Sequence, residues 1–284
     1  MKVLLLDDAA EFLDRTRTFR SQEPYFTNVM GSTATSVATG LRTYETMSWW
    51  VVEDDSGDVC AMMMRTAPHK LVLSPMPLKA IDVAAAAVAA HDPKIPGLSG
   101  SKALVESFLT RFIDWSHQEL RGVIERSLLV YVLNSLIPPL PGPGTWRAAT
   151  PSEFNLLITW WKGFADDTGV ERHGLEEGLR ASLESGRVFL WFDQGQPVCA
   201  VAHSVIVDVP SEAVARIGPV YTPATMRRRG YAGQLTAAVS AHLIEQGLGL
   251  MLFTDATNAT SNGVYTRLGY ERVDEIVECA VVPV

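Results

Sequence analysis

Cysteine is scarce in this chain of 284 residues: Cys60, Cys199 and Cys279 are its three, an odd number spread far apart. Such a set excludes a disulfide framework and a cysteine metal site, so no metal is expected, and a reducing cytoplasm is the expected compartment. Long apolar runs are missing too. The most apolar stretch, Ala80 to Ala90, contains Asp82 and falls well short of the ~20 residues that span a bilayer. The N-terminal run Val3-Leu4-Leu5-Leu6 stops at Asp7-Asp8 and is too short for a signal peptide. Basic charge is in the minority, 24 Lys and Arg against 32 Asp and Glu, for a net −8. A general nucleic-acid or anionic-membrane binder carries the opposite balance, so neither is expected as a partner. What is present suits a folded chain: 47% of residues are hydrophobic and 20% charged, which excludes disorder as the main state. The length is near twice a usual domain of ~150 residues, allowing one large domain or two ordinary ones.

One segment marks a boundary. Ile137-Pro138-Pro139-Leu140-Pro141-Gly142-Pro143-Gly144 cannot continue a helix or a central strand, because proline lacks the amide donor and glycine is costly to order. Thr150-Pro151-Ser152-Glu153 then forms a capping box with proline at the first helical position. Domains are expected at 1–140 and 145–284. The halves also echo one another. Trp50 to Ala61 and Leu190 to Ala200 each read as strand, Asp/Gly turn, strand, and each ends in Val-Cys-Ala, about half the chain apart. Two unrelated hairpins with a common turn are one reading; duplication of one fold is the reading that joins these two facts. In the second half the pattern predicts helices at 151–165, 174–185, 232–246 and 261–268. Strands are predicted at 188–193, 198–207, 214–221, 248–254 and 272–282. In the first half, strands are expected near 49–52, 59–65 and 70–73. The class is α+β, hairpins with an embedded βαβ unit.

The stretch Ile217-Gly218-Pro219-Val220-Tyr221-Thr222-Pro223-Ala224-Thr225-Met226-Arg227-Arg228-Arg229-Gly230-Tyr231-Ala232-Gly233 carries the chemistry. A strand ends, a loop holds three arginines and two glycines, and a helix begins. The first amides of a helix lack intrahelical partners and lie at the positive end of its dipole. Glycine permits close approach of a phosphate, and arginine adds a permanent charge with a rigid donor fork. The expected ligand is phosphorylated and held by the amides from Arg228 to Gly233. No Gly-Lys-Ser/Thr follows, so this is not a Walker loop. Gly230-x-x-Gly233 lacks the first glycine and the acidic partner of a dinucleotide fingerprint, which argues against a βαβ nucleotide-binding enzyme.

Together with a second block downstream, these residues carry a resemblance. Arg227-x-x-Gly230-x-Ala232 resembles the Arg/Gln-x-x-Gly-x-Gly/Ala motif of the GNAT superfamily of acyl-CoA-dependent N-acetyltransferases. Asn258-x-x-Ser261-x-x-Val264-Tyr265-x-x-x-Gly269-Tyr270 is similar to that family's Asn-x-x-Ala-x-x-Leu-Tyr-x-x-x-Gly-Phe block. The resemblance covers about residues 145–284 and reaches the first half through the hairpin alone. It implies two tandem GNAT-like domains, each a mixed, mostly antiparallel sheet flanked by helices. It also implies acetyl-CoA as co-substrate, with no metal. The amides of Arg228, Arg229, Gly230, Tyr231, Ala232 and Gly233 would hold its pyrophosphate, and Arg227 would support the loop or contact phosphate directly. Val220, Tyr221 and Thr222 would pair with the pantetheine arm as an added strand, a backbone N–H there facing the thioester oxygen. Asn258 would hydrogen-bond the pantetheine, and Tyr265 would protonate the leaving thiolate. The acceptor would be an amine. An acyl-CoA-binding sensor or catalytically silent module is the alternative on the same features.

Other residues have plainer readings. Asp166, Asp167 and Glu171 are expected in an acidic loop between two helices, where they are exposed or attract a cationic amine. His203 reads as a partnered strand histidine rather than the base, and Asn262 as a residue that caps or lines its helix. Trp160 and Trp161 either line the acceptor pocket or, for one of the adjacent pair, face the core, and Cys199 and Cys60 pack alike in the repeat. The first half has neither motif. Gly97-Leu98-Ser99-Gly100-Ser101-Lys102 fits no phosphate loop and reads as a strand-to-helix connection, leaving the first domain a degenerate copy. No motif encodes acceptor identity, acyl-chain length or oligomeric state.

Overall fold

The computed structural model describes residues 1–170 and 172–284. Packing divides the chain into two compact units. The first is Met1–Val130 with Val207–Glu212 and Asp274–Val284; the second is Tyr131–Ile206 with Ala213–Val273.

The first unit runs β1 (Lys2–Leu6), α1 (Ala9–Arg15), α2 (Arg17–Gln22), α3 (Asn28–Ala38), β2 (Met47–Glu53), β3 (Val59–Thr66), β4 (Leu71–Leu73), α4 (Leu78–His91), β5 (Gly97–Ser101), α5 (Lys102–Ser116) and β6 (Leu120–Leu133), which crosses the division at Val130. Strands β1 to β4 pair antiparallel in sequence, and β5 lies parallel to β4. The run Trp49-Trp50-Val51-Val52 in β2 is apolar throughout because both faces of the strand are covered. Strand alternation sends Trp50 and Val52 to a core shared with residues of α4 and α5. It sends Trp49 and Val51 to a second core with Phe12, Phe19 and Met30 from α1–α3.

The second unit contains β7 (Thr145–Ala148), α6 (Phe154–Thr168), α7 (Leu175–Glu184), β8 (Val188–Asp193) and β9 (Gln196–His203). After β10 (Val207–Val209), which packs with the first unit, come β11 (Glu212–Tyr221), α8 (Tyr231–Ile244), β12 (Gly249–Asp255), α9 (Ala259–Arg267) and β13 (Tyr270–Pro283), whose residues from Asp274 belong to the first unit. The sheet order is β12-β11-β9-β8-β7, antiparallel except for the β11–β12 pair. Leu190, Ala200 and Ala202 face Leu157, Trp160, Trp161 and Leu179 from α6 and α7. Each unit is thus an open, mostly antiparallel sheet flanked by helices. Both follow one element order, strand, helices, three antiparallel strands, helix, parallel strand, helix, strand. Among the described residues, no helix is long and apolar enough to cross a membrane.

Several local expectations shift. The division falls before the Pro/Gly segment, away from the boundary expected at 140–145, because that segment packs on the second unit. Ile137 N–H bonds Leu268 O, and Trp191 Nε1 donates to Pro143 O at 3.0 Å. Gly144 sits at φ 109°, where a Cβ would strike Phe192 O. Two short pieces of the second half join the first unit. Val207 packs on Gly31, and the Tyr25 hydroxyl donates to Glu212 at 2.8 Å. The last residues of β13 pair with β5. Gly97–Ser101 is therefore a strand and not a connection. Its glycine answers to that pairing, since a Cβ on Gly97 would lie 2.3 Å from Cys279 O. The two Val-Cys-Ala runs differ in register. Cys199 pairs with Trp191, whereas Cys60 falls at a bulge where Val52–Ala61 gives way to Glu53–Val59. Cys199 is fully buried and Cys60 only partly.

A Gly97→Ala change should weaken the first unit by about 1–3 kcal/mol, the usual range for forced overpacking. Urea unfolding checks it, and unchanged stability would show that β13 has room to withdraw from β5.

Candidate functional site

The site is built where β11 parts from β12. β11 pairs parallel with β12 from Val214–Gly249 to Ile217–Leu252. Past that last pair the two strands run on separately as 218–221 and 253–255, while β11 resumes antiparallel pairing with β9 through Val220–Val201 and Tyr221–Ala200 after a bulge. Successive strand residues turn their N–H and C=O to opposite sides. One of Val220 and Tyr221 therefore faces β9, and the other faces the parted edge.

Beyond Tyr221 the chain makes a 3-10 turn at Ala224–Met226. Arg228 and Gly230 take the left-handed region, at φ 61° and 83°. Gly230 is the N-cap of α8, and Gln234 donates the first amide bonded back into that helix, to Gly230 O at 3.0 Å. The amides of Arg228, Arg229, Gly230, Tyr231, Ala232 and Gly233 have no acceptor among the described residues. They form a continuous run of donors at the positive end of a helix of 14 residues.

The three arginines divide by role. Arg227 Nε donates to Thr222 O at 2.9 Å, its guanidinium pairs with Asp167, and it lies 5.7 Å from the Tyr221 ring centroid. It supports the loop. Arg228 and Arg229 are exposed and form no ion pair among the described residues. Tyr231 turns into the protein, and its hydroxyl donates to Asp193 at the end of β8. That bond holds the hydroxyl's pKa above its ordinary value, opposed by Arg229.

Helix α9 flanks the cradle: a Cβ on Gly233 would lie 3.7 Å from Val264. Asn258 caps α9, its Oδ1 accepting from Ser261 N–H at 3.0 Å, so its side-chain amide is the group left to meet a ligand. Asn262 ties α9 to the end of β12 through Asp255 O and Ala256 O. Tyr265 is buried. Burial, then Tyr270 and the Cys199 thiol nearby, raise its pKa above the ordinary phenol value. The Thr222 hydroxyl reaches Cys199 Sγ at 3.3 Å, so β9, the end of β11 and α9 converge. Burial pushes the Cys199 thiol up to about 12, and as a neutral thiol it is no nucleophile.

Several residues sit elsewhere than expected. Asp166 and Asp167 belong to the last turn of α6 rather than to a loop, and each is engaged, Asp166 by Arg172 and Asp167 by Arg227. Glu171 lies outside the described residues. Trp160 and Trp161 are both buried, with Trp160 6.2 Å from Tyr221. His203 bonds Ser204 O at 2.8 Å through Nδ1 and stacks on Phe189. Sequence reasoning missed Gly163: a Cβ there would come 2.4 Å from the Tyr221 hydroxyl. A glycine inside an amphipathic helix, where it costs about 1 kcal/mol against alanine, was its signal.

Residues 204–279, which contain the cradle and α9, match the family model described as FR47-like protein. The chain is similar in structure to an acetyltransferase of the GNAT family from Colwellia psychrerythraea, at 14% identity over 99% of each chain with a TM-score of 0.62. It is similar also to a GCN5-related N-acetyltransferase from Sphaerobacter thermophilus, at 13% identity over 99% of this chain and 95% of that one, TM-score 0.63. A third, a GCN5-related N-acetyltransferase from Kribbella flavida, shares 16% identity over 88% and 94%, TM-score 0.54. No curated protein matches the sequence. The fold is that of the GNAT acetyltransferases, and the first two likenesses extend over both units.

Burial holds His203 neutral, lowering its pKa to about 4 from 6.5, with Arg187 and His242 adding to the effect. Above pH ~6.5 neither folded nor unfolded histidine is charged. As the pH falls from there toward about 4, the unfolded chain takes up the proton first, and about 3 kcal/mol of stability is lost. His203→Asn, which keeps an amide donor for Ser204 O, should flatten this dependence in melts between pH 7 and 4.5. Parallel profiles for the two proteins would clear His203 of the effect.

Proposed function

We propose that the chain is an N-acetyltransferase that moves an acetyl group from acetyl-CoA to a primary amine. The observation that carries this reading is the run of six unpaired amides at the start of α8, placed directly after a strand whose edge has parted from its parallel neighbour. The amides, with Arg228 and Arg229, suit a pyrophosphate. The free edge at Val220–Thr222 suits the amide-bearing pantetheine arm, which adds to it as a short strand. A backbone N–H on that edge meets the carbonyl oxygen as it gains charge.

The chemistry asks little else of the protein. The amine attacks the thioester carbon, the carbon–sulfur bond breaks, and sulfur leaves with the electron pair. Tyr265 holds the proton for that sulfur. Its raised pKa keeps it protonated at neutral pH. Desolvation raises the leaving thiol's pKa above its ordinary ~8.5 as well, so the departing sulfur is a stronger proton acceptor than in water. The amine's own proton passes to water. His203 is a poor base for that proton, since burial lowers its pKa to about 4.

Calorimetric titration with acetyl-CoA tests the binding step, and absence of binding by the folded protein would sink the reading. Release of free thiol across a panel of amines tests the transfer. Thiol release in no case, with binding intact, would favour an acyl-CoA sensor instead. Tyr265→Phe should lower turnover about 10²-fold, the usual scale for loss of a general acid, while CoA affinity changes little. Equal turnover in a chemistry-limited assay would remove Tyr265 from the donor role.

A further inference from the structure

We propose that Asp167 is a positioning residue for the acyl-CoA cradle, acting through Arg227; this rests on the reading of that loop as the CoA site. Asp167 lies in the last turn of α6, 60 positions before its partner. Arg227 bridges two segments. One end of its guanidinium meets the Asp167 carboxylate, and Nε holds the carbonyl of Thr222 at 2.9 Å.

Thr222 is the first residue after β11, so this bond fixes the point where the strand edge becomes the phosphate loop. The opposite end of the same residue is also held, its hydroxyl on Cys199 Sγ. The Tyr221 ring lies beneath the guanidinium and abuts Gly163, also on α6. Without its partner, Arg227 would have the rotamer freedom to swing toward a phosphate. Paired with Asp167 it is kept as a strut, and the two arginines that follow supply the free charge. A carboxylate in an acidic chain, beside a site for a polyanion, would ordinarily repel the ligand. Here its charge is spent on Arg227, and its effect on binding is through geometry.

The half-exposed pair adds little to folding stability, which separates positioning from a merely structural role. Wild type, Asp167→Asn and Asp167→Glu are compared by calorimetric titration with CoA and by thermal melting. Asp167→Asn should raise Kd about tenfold, on the scale of losing one oriented charge-assisted contact, with Tm shifted by less than about 3 °C. Asp167→Glu, which restores the carboxylate, should recover most of the affinity. Wild-type affinity in Asp167→Asn would overturn the proposal and leave the CoA site standing. A loss of affinity that Asp167→Glu does not recover, or that tracks a fall in Tm, would likewise overturn it. No CoA binding by the wild type would remove the acyl-CoA reading and this proposal together.

Discussion

Six consecutive backbone amides without acceptors among the described residues are a costly arrangement unless water or a ligand meets them, and they converge on one point only if the loop before the helix is held still. That constraint organises the second unit. Gly230 supplies the left-handed turn that lets α8 start abruptly. Tyr231 ties the first helical residue to Asp193 on β8, and Arg227 ties the loop's beginning to α6. Thr222 is anchored through both its carbonyl and its hydroxyl. The amides themselves are left open because the surrounding side chains bond one another and not the backbone between them.

Charge follows the same division. The chain is acidic overall, yet two carboxylates at the start of α8 are engaged, Asp167 by Arg227 and Asp193 by the Tyr231 hydroxyl. Arg228 and Arg229 are therefore the charges beside these amides that have no ion-pair partner among the described residues. Three adjacent arginines look equivalent in sequence. Their backbone angles separate them, because extended Arg227 and left-handed Arg228 send successive side chains in different directions.

Much of the second unit was legible in the sequence because its signals are local. The capping box at Thr150–Glu153 is present, with Thr150 N–H on Glu153, and strand 188–193 matches β8 residue for residue. What escaped depends on partners far along the chain. Gly97–Ser101 looks like a glycine-serine connection, and becomes β5 only because the last strand needs close backbone approach at Gly97. The Pro/Gly stretch looks like a linker, yet Trp191 and Gln234 hold its carbonyls on the second unit. Asp167 shows no local mark of its pairing, since its partner Arg227 is far along the chain.

The two units separate fold from chemistry. Both place a helix between two parallel strands, so both have the frame on which such a site is built. At α8 the loop is Arg-Arg-Gly and every residue from 228 to 233 has an N–H. At α4 it is Ser74-Pro75-Met76-Pro77: two of the four residues before the helix lack a donor. Ser74 is buried, bonded to Met62 N–H and Pro75 O, and Ala80 N–H closes back on Pro77 O. No run of outward amides can form there, whatever the sheet around it does. One element order thus carries a run of outward amides in one unit and not in the other through the residues of a single helix start, where proline deletes the donors that glycine exposes.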